Sequence, residues 1–312
     1  MTAQKNIPML LFTVLIICIL TAFAIVINSY FSGIEKWAIY IPILFIQALW
    51  LDRIYVIGHE AAHRKLFADN KFVNELVGFT ILLPLMVPLR IYRKIHDFHH
   101  KFNRSDIHTS ALDVFVSKRK SNIYSKLYFN FLWYFAVFGA GFFLHSLISV
   151  LHFLFVPVKF SRKISPAFND WTLADQLNSI MQFGGGIAFH LAICYFAGTE
   201  IYLLALGYPM LAFAWIWSML VYVFHYDTTM GENNKFHARA LKSNRLFRNV
   251  LLNFNEHVTH HVNPVISWFE LPKKRVELPE NFNSNIRVNT LTGAILQQLK
   301  GPKIIWKTES EK

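Results

Sequence analysis

The chain is poor in cysteine and in charge. Its only two cysteines, Cys18 and Cys194, both lie inside apolar runs. That excludes a disulfide framework and a cysteine-based zinc site, and leaves both as packing residues. Charged residues make up 16% of the sequence, and the acidic ones are the scarcer, 19 against 31 basic. A net charge of +12 on a soluble chain would invite a nucleic-acid reading. No zinc-finger or other nucleic-acid-binding signature is present, however, and the basic residues fall between apolar stretches, so no nucleic-acid partner is expected. Internal repeats, low-complexity tracts and obvious linkers are also missing. A single membrane-embedded domain over residues 1–312 is therefore expected.

What the chain has is apolar length. Hydrophobic residues make up 54% of it, with 30 phenylalanines. No formal charge occurs in residues 6–34, 37–51, 127–158, 176–199 or 201–226. A helix needs about 20 apolar residues to cross the hydrocarbon core. Residues 8–30 and 37–57 read as two spans, the second meeting Asp52 and Arg53 as its last turns emerge. Residues 178–197 and 201–224 read as a hairpin of two more around Gly198-Thr199-Glu200. Residues 76–89 are short and hold Pro84 and Pro88, which suits an interfacial or partly inserted segment. Residues 127–158 are too long for one ordinary span.

Eight of the fourteen histidines fall in three clusters: His59-Glu60-Ala61-Ala62-His63, His96-Asp97-Phe98-His99-His100 and His257-Val258-Thr259-His260-His261. On a helix, spacings of three and four residues put side chains on one face, where they can share a metal ion. Imidazole binds iron, zinc or copper without adding a negative charge. If one centre uses all three clusters, the clusters share a membrane face and the chain crosses an even number of times between them. Residues 76–89 and 127–158 must then each return to the side they left. The loops on the far side hold Glu35, Lys36 and Glu200. The histidine side holds a long basic set, including Arg64, Lys65, Arg93, Lys94, Lys118, Arg119, Lys120, Arg162, Lys163 and Lys273–Arg275. The positive-inside rule places that side, with both termini, in the cytoplasm of a cell membrane or endoplasmic reticulum. A signal peptide ending at Ala22-Phe23-Ala24 competes weakly, because the apolar run continues past it. The expected fold is all-α and integral to the membrane: four transmembrane helices, interfacial or re-entrant helices, and a cytoplasmic histidine-bearing cap.

The three clusters and their flanks resemble the membrane fatty-acid desaturase and hydroxylase superfamily, whose signature is three histidine boxes. Gly58 to Arg64 is similar to the first box. Glu256 to Pro264, followed by Trp268-Phe269-Glu270-Leu271-Pro272, is similar to the third box and its tail in acyl-lipid desaturases. The resemblance covers roughly residues 37 to 275. It implies one more ligand, a lone histidine at the end of the last span, and His225 occupies that place. Some members carry an asparagine four residues before this histidine; here Val221 stands there, so that detail does not carry over, and Asn253 is a weak substitute. The resemblance thus gives nine ligands: His59, His63, His96, His99, His100, His225, His257, His260 and His261. His145, His152 and His190 read as packing or tunnel-lining residues, His108 as a possible neighbour of the ligands, and His237 as surface. Metal-bound imidazoles usually donate their second N–H to a carboxylate or carbonyl, so some of Asp52, Glu60, Asp97, Asp106, Asp227 and Glu256 are expected to orient ligands.

Removing hydrogen from an unactivated methylene needs an oxidant stronger than any side chain. Iron held by histidines, with positions open to O2, provides one. Nine histidines suit two ions, so the resemblance implies a non-haem di-iron centre, with O2 as co-substrate, that introduces a double bond into the acyl chain of a lipid or an acyl-CoA. Trp215, Trp217 and Phe213 are candidate tunnel walls. No cytochrome b5-like His-Pro-Gly-Gly motif or flavin fingerprint is present, so electrons are expected from outside. An acidic carrier of the ferredoxin or cytochrome b5 type suits a basic face with residues such as Arg239, Lys242, Arg245 and Arg248. Carotenoid ketolases or hydroxylases and fatty-acid hydroxylases use the same boxes and are the nearest alternatives. His59-Glu60-x-x-His63 is also a zinc-protease signature, but a third ligand of the usual kind is missing from the later spans.

Overall fold

A computed structural model describes residues 2–109, 113–117 and 121–306. The basic residues Lys118, Arg119 and Lys120, and the side chain of His145, lie outside this described set. The first helix, α1 (Thr2–Tyr30), is followed after a two-residue break by α2 (Gly33–Ala62). Then come α3 (Lys71–Leu82), α4 (Leu89–Phe102), a short strand β1 (Val114–Ser117), α5 (Ile123–Phe135), α6 (Ile148–Phe155) and α7 (Val158–Ile164). The third long helix is α8 (Leu173–Ala197), and α9 (Thr199–Tyr202) runs through a π turn into α10 (Tyr208–Val221). Short helices α11 (Arg245–Val250), α12 (His257–Val262) and α13 (Leu291–Gln297) and a strand β2 (Lys303–Trp306) complete the chain.

Four helices are long and apolar enough to cross a bilayer: Ala3–Tyr30, Gly33–Ala62, Leu173–Ala197 and Thr199–Val221. This is the expected all-α membrane fold. The second span carries the first histidines on its last turns as expected, but those turns are buried and do not emerge into water: Asp52, Arg53, His59 and Glu60 are all 4% exposed or less. Arg53 is accommodated because its guanidinium is engaged through Nε and one terminal nitrogen. It reaches the Thr13 hydroxyl at 2.8 Å and the carbonyls of Asn249 and Val250. A buried charge persists only when paired or hydrogen-bonded in this way.

Neither of the two remaining apolar stretches is straight. Lys71–Leu85 and Leu89–Phe102 meet at 96°. Pro84 and Pro88 remove helix donors there, and Met86 takes a left-handed φ of 51° between them. Ile123–Gly139 and Phe142–Phe155 meet at 102°. At that bend a Cβ on Gly141 would fall 2.0 Å from the Ala136 carbonyl and 2.9 Å from the Ser218 hydroxyl, so only glycine fits. Both pairs are bent as re-entrant segments would be. The loops read as sharing the far side also meet, with Lys36 Nζ 3.1 Å from Glu200 Oε1.

Helix α2 packs against α10, α1 and α3, and their shared core includes Ile54, Ile57, Leu82, Leu85, Phe213 and Ala214. The α2–α3 contact is close: a Cβ on Gly58 would lie 2.4 Å from Leu82, and one on Gly78 would lie 2.5 Å from Ala61. His190 ties α8 to the first bent pair. Its Nε2 lies 2.9 Å from the Pro84 carbonyl and its Nδ1 3.0 Å from the Tyr202 hydroxyl. It acts as a tether between elements and does not line the cavity described below. The polar tail folds back over the histidine end. Arg275 pairs with Glu256, and Trp133 donates to the Gln298 carbonyl at 2.9 Å. Strand β2 pairs in parallel with β1, Val114 opposite Lys303, a small sheet that hydrophobic patterning did not announce.

Candidate metal centre

The histidines gather where four elements end. His59 sits in the last turn of α2 and His63 caps it, while His96, His99 and His100 lie one turn apart along α4. His225 follows α10 in a compact turn, and α12 supplies His257, His260 and His261. α12 is aimed by an unusual backbone. Leu252 and Asn253 both take positive φ, 50° and 58°, a conformation that costs a residue with a Cβ roughly 1–2 kcal/mol. The Arg53 guanidinium on α2 grips the carbonyls just upstream of that turn.

All nine imidazoles converge, and they sort into two groups. His59, His63, His96, His100 and His260 form one, and His99, His225, His257 and His261 the other. The boxes do not map onto the groups one to one: the second and third boxes each send residues to both. In the five-membered group Nε2 distances are 2.9 Å for His63–His96, 3.0 Å for His96–His100 and 2.9 Å for His100–His260. In the four-membered group the Nε2 atoms close a ring, His99–His225 3.2 Å, His225–His257 2.9 Å, His257–His261 3.1 Å and His261–His99 3.2 Å.

These distances test whether the residues suit a metal. A neutral imidazole carries one donor and one acceptor nitrogen, so a closed ring of four Nε2 atoms cannot be explained by simple mutual pairing while each also points inward. A planar square with these edges has corners about 2.2 Å from its centre, close to the 2.0–2.1 Å of a zinc–imidazole bond. His59 is 2% exposed, and neither of its ring nitrogens has a hydrogen-bond partner among the described residues. Burial costs such an orphaned group heavily unless something else satisfies it. Burial, then the charges of Arg93 and Lys65, hold His63 down to about 4. Burial, then the neighbouring imidazoles, hold His257, His260 and His261 well below the ordinary histidine value, and burial does the same for His225. All five are neutral at pH 7, the form a metal requires.

None of the acids expected from sequence hydrogen-bonds a candidate ligand among the described residues; the one second-nitrogen partner is a backbone carbonyl. His225 Nδ1 donates to the His237 carbonyl at 3.0 Å. His237, read as surface, is 1% exposed, fixed by the Thr229 hydroxyl at 2.7 Å and the Gly231 carbonyl at 3.0 Å. Among the described residues no carboxylate is hydrogen-bonded to any of the nine. Glu60 comes nearest, 3.8 Å from His59 Nδ1, but accepts the Trp268 backbone N–H instead. Glu256 binds Arg275, and Asp106 closes its own turn with the N–H groups of His108 and Thr109. His108 is exposed in that turn, and Asn253 donates to the Trp268 carbonyl at 3.2 Å.

Beside the histidines opens an apolar cavity of about 380 Å³, reached by His96, His99, His225 and His257 and walled by residues such as Ile91, Val150, Trp217, Leu220 and Leu251. Of the three aromatics expected as walls only Trp217 lines it. Phe213 is buried in the core, and Trp215 faces outward with its N–H on the Phe138 carbonyl.

Fold and site together describe an integral membrane protein whose helix ends enclose a nine-histidine cluster beside an apolar cavity. The family model described as fatty acid desaturase matches residues 35–290, and the chain belongs to that family. It is similar to an sn-1 oleoyl-lipid 12-desaturase of Picosynechococcus sp., 33% identical over 88 residues, 28% of this chain and 25% of that one. A fatty acid conjugase of Calendula officinalis is 32% identical over 129 residues, 39% of this chain and 32% of that one. The chloroplastic omega-6 fatty acid desaturase of Brassica napus is 42% identical over 57 residues, 18% and 13% of the two chains. The chain spans about a third or less of the length of these relatives.

Proposed function

We propose that this protein is a non-haem di-iron desaturase that introduces a double bond into a fatty acyl chain held in the cavity. The observation that carries the reading is the sorting of nine imidazoles into groups of five and four at the mouth of an apolar cavity. His59, His63, His96, His100 and His260 would hold one iron, and His99, His225, His257 and His261 the other. Two such ions, when loaded, supply the oxidising power to take hydrogen from a methylene with O2. The overall reaction removes two hydrogens from adjacent carbons and reduces O2 to two waters, with two electrons and two protons from outside.

The chain's own residues do the rest. Ile91, Val150, Leu220 and Leu251 exclude water and hold the acyl chain straight, which fixes the carbons that face His99, His225 and His257. The His237 carbonyl holds His225 in one tautomer, its Nε2 turned inward. The acyl-lipid substrates named for several relatives make an acyl lipid the first choice, with acyl-CoA second. The whole of residues 1–312 acts as one membrane-embedded domain. Its histidine end and both termini face the cytoplasm by the distribution of Lys and Arg, where a ferredoxin- or cytochrome b5-type donor meets the basic face of Lys242, Arg245 and Arg248; Arg239, expected on that face, is buried and bonded to Gln297 and the Tyr226 carbonyl.

Expression in a host without polyunsaturated lipids, followed by gas chromatography of its fatty acids, tests this. New unsaturated peaks that vanish in His260→Ala support it. Unchanged fatty acids with altered pigments in a carotene-producing host would overturn it in favour of carotenoid oxygenation.

A further inference from the structure

One polar group in the cavity wall has no role in an all-methylene substrate. Asp52 lies in α2, is 4% exposed and lines the cavity. Among the described residues its carboxylate has no hydrogen-bond or ion-pair partner, and the adjacent Arg53 is turned away to Thr13, Asn249 and Val250. Tyr55 and Tyr92 line the cavity beside it, their rings 5.0 Å apart, and Trp217 meets Tyr55 edge-on at 5.6 Å. The two hydroxyls lie close to each other and to Asp52. Even a bond between the two hydroxyls would consume only one hydrogen and leave the other free to donate. The wall therefore offers an unused acceptor, Asp52, and an unused donor close together. They sit seven and four residues before His59, about 6–10 Å along the helix from the histidines.

We infer that the cavity selects an acyl chain bearing a hydroxyl group, which Asp52 accepts from and the Tyr55–Tyr92 pair donates to, several methylenes from the carbons that react. A hydroxyl both donates and accepts, as this wall requires. A ketone only accepts, and an amide N–H only donates. A plain chain would bury Asp52 against methylenes with nothing to bond, and a site built for a substrate hydroxyl discriminates strongly against the analogue lacking it. The inference rests on the acyl-chain reading above and narrows it.

The test uses the full chain, purified in nanodiscs, and a series of octadecanoyl phosphatidylcholines, unsubstituted or carrying one hydroxyl at successive carbons. Each competes against a fluorescent polyene acyl lipid. The inference expects at least one hydroxyl position to bind about tenfold or more tighter than the plain chain. Asp52→Leu should abolish that preference, and Asp52→Asn, nearly isosteric and keeping one acceptor oxygen, should reduce it. Iron content measured on the same samples separates misfolding from lost recognition. A wild-type protein that binds every hydroxylated chain no better than the plain one overturns the inference, because a trapped water then satisfies Asp52, while the desaturase reading stands. A preference retained in Asp52→Leu overturns it too. A cavity that binds neither the polyene probe nor any acyl lipid overturns both readings at once.

Discussion

Arg93 and Ala62 join the first two histidine boxes: the Arg93 Nε on α4 donates to the Ala62 carbonyl, 2.8 Å away at the end of α2. The same guanidinium reaches the Ala61 carbonyl at 3.1 Å and Glu75 Oε1 at 2.6 Å. The last carbonyls of a helix lack intrahelical partners, so a cation there is well placed, and this one also holds α4 against the helix that carries His59 and His63.

Arg93→Leu should therefore loosen both boxes at once. Charge-assisted hydrogen bonds contribute roughly 1.5–3 kcal/mol each, and Glu75 is half-exposed and can turn to water, so a loss of about 3 kcal/mol from the two buried carbonyl contacts is expected. Thermal unfolding in detergent should show a Tm several degrees lower, with reduced iron content. Arg93→Lys should recover only part, because an ammonium cannot bond two carbonyls and a carboxylate in one plane. Wild-type Tm and iron in Arg93→Leu would contradict this role.

Removing one ligand should matter more in the smaller group. His257→Ala leaves three imidazoles where four closed a ring, whereas His59→Ala leaves four of five. Iron per chain, measured by plasma mass spectrometry, should fall to about one in His257→Ala and stay nearer two in His59→Ala. Equal losses in both variants would argue against two separate groups.

The metal-free protein should be acid-sensitive. Burial depresses the folded-state pKa of His63, His225, His257, His260 and His261. The unfolded chain takes up protons near the ordinary value of about 6.5 that the folded cluster refuses, so stability is greatest above that pH and declines as pH falls below it. Each such histidine contributes a slope of about 1.4 kcal/mol per pH unit until its folded pKa is reached, near 4 for His63. The Tm of chelator-treated protein should drop steadily from pH 7 to pH 5, and less so in His260→Ala. A flat profile would mean the imidazoles are not buried together.

Bulk in the cavity wall should move the reaction along the chain. Val221 lines the cavity one turn before His225, and Val221→Phe should shorten the acyl chain accepted or shift the new double bond. Mass spectrometry of derivatised products reads either change. Lower turnover with an unchanged product profile would show that the cavity is not where the chain lies.

Much of this was legible in the sequence because the features were local. Spacings of three and four residues at 96–100 and 257–261 mark one helix face, and the apolar runs give the spans. The shortness and prolines of 76–89 and the excess length of 127–158, together with parity, argue against two further straight spans, and the structure bends both segments at Pro84, Pro88 and Gly141. What stayed hidden depends on distant contacts. The division of each box between two groups is set by how α4 and α12 cross, which no spacing encodes. His237 sits among Asn233, Asn234 and Lys235, so it read as surface, yet Arg104 and Asn285 close the loop over it through Thr228, Thr229 and Phe236. Asp52 read only as an acid near a ligand, because nothing local shows that its neighbour Arg53 is taken up elsewhere.

The most direct measurement is metal stoichiometry with Mössbauer spectroscopy on protein expressed with enriched iron. The account predicts about two irons per chain in two distinct histidine environments, one of them lost in His257→Ala. A single zinc per chain, or iron that survives loss of both His257 and His260, would contradict it.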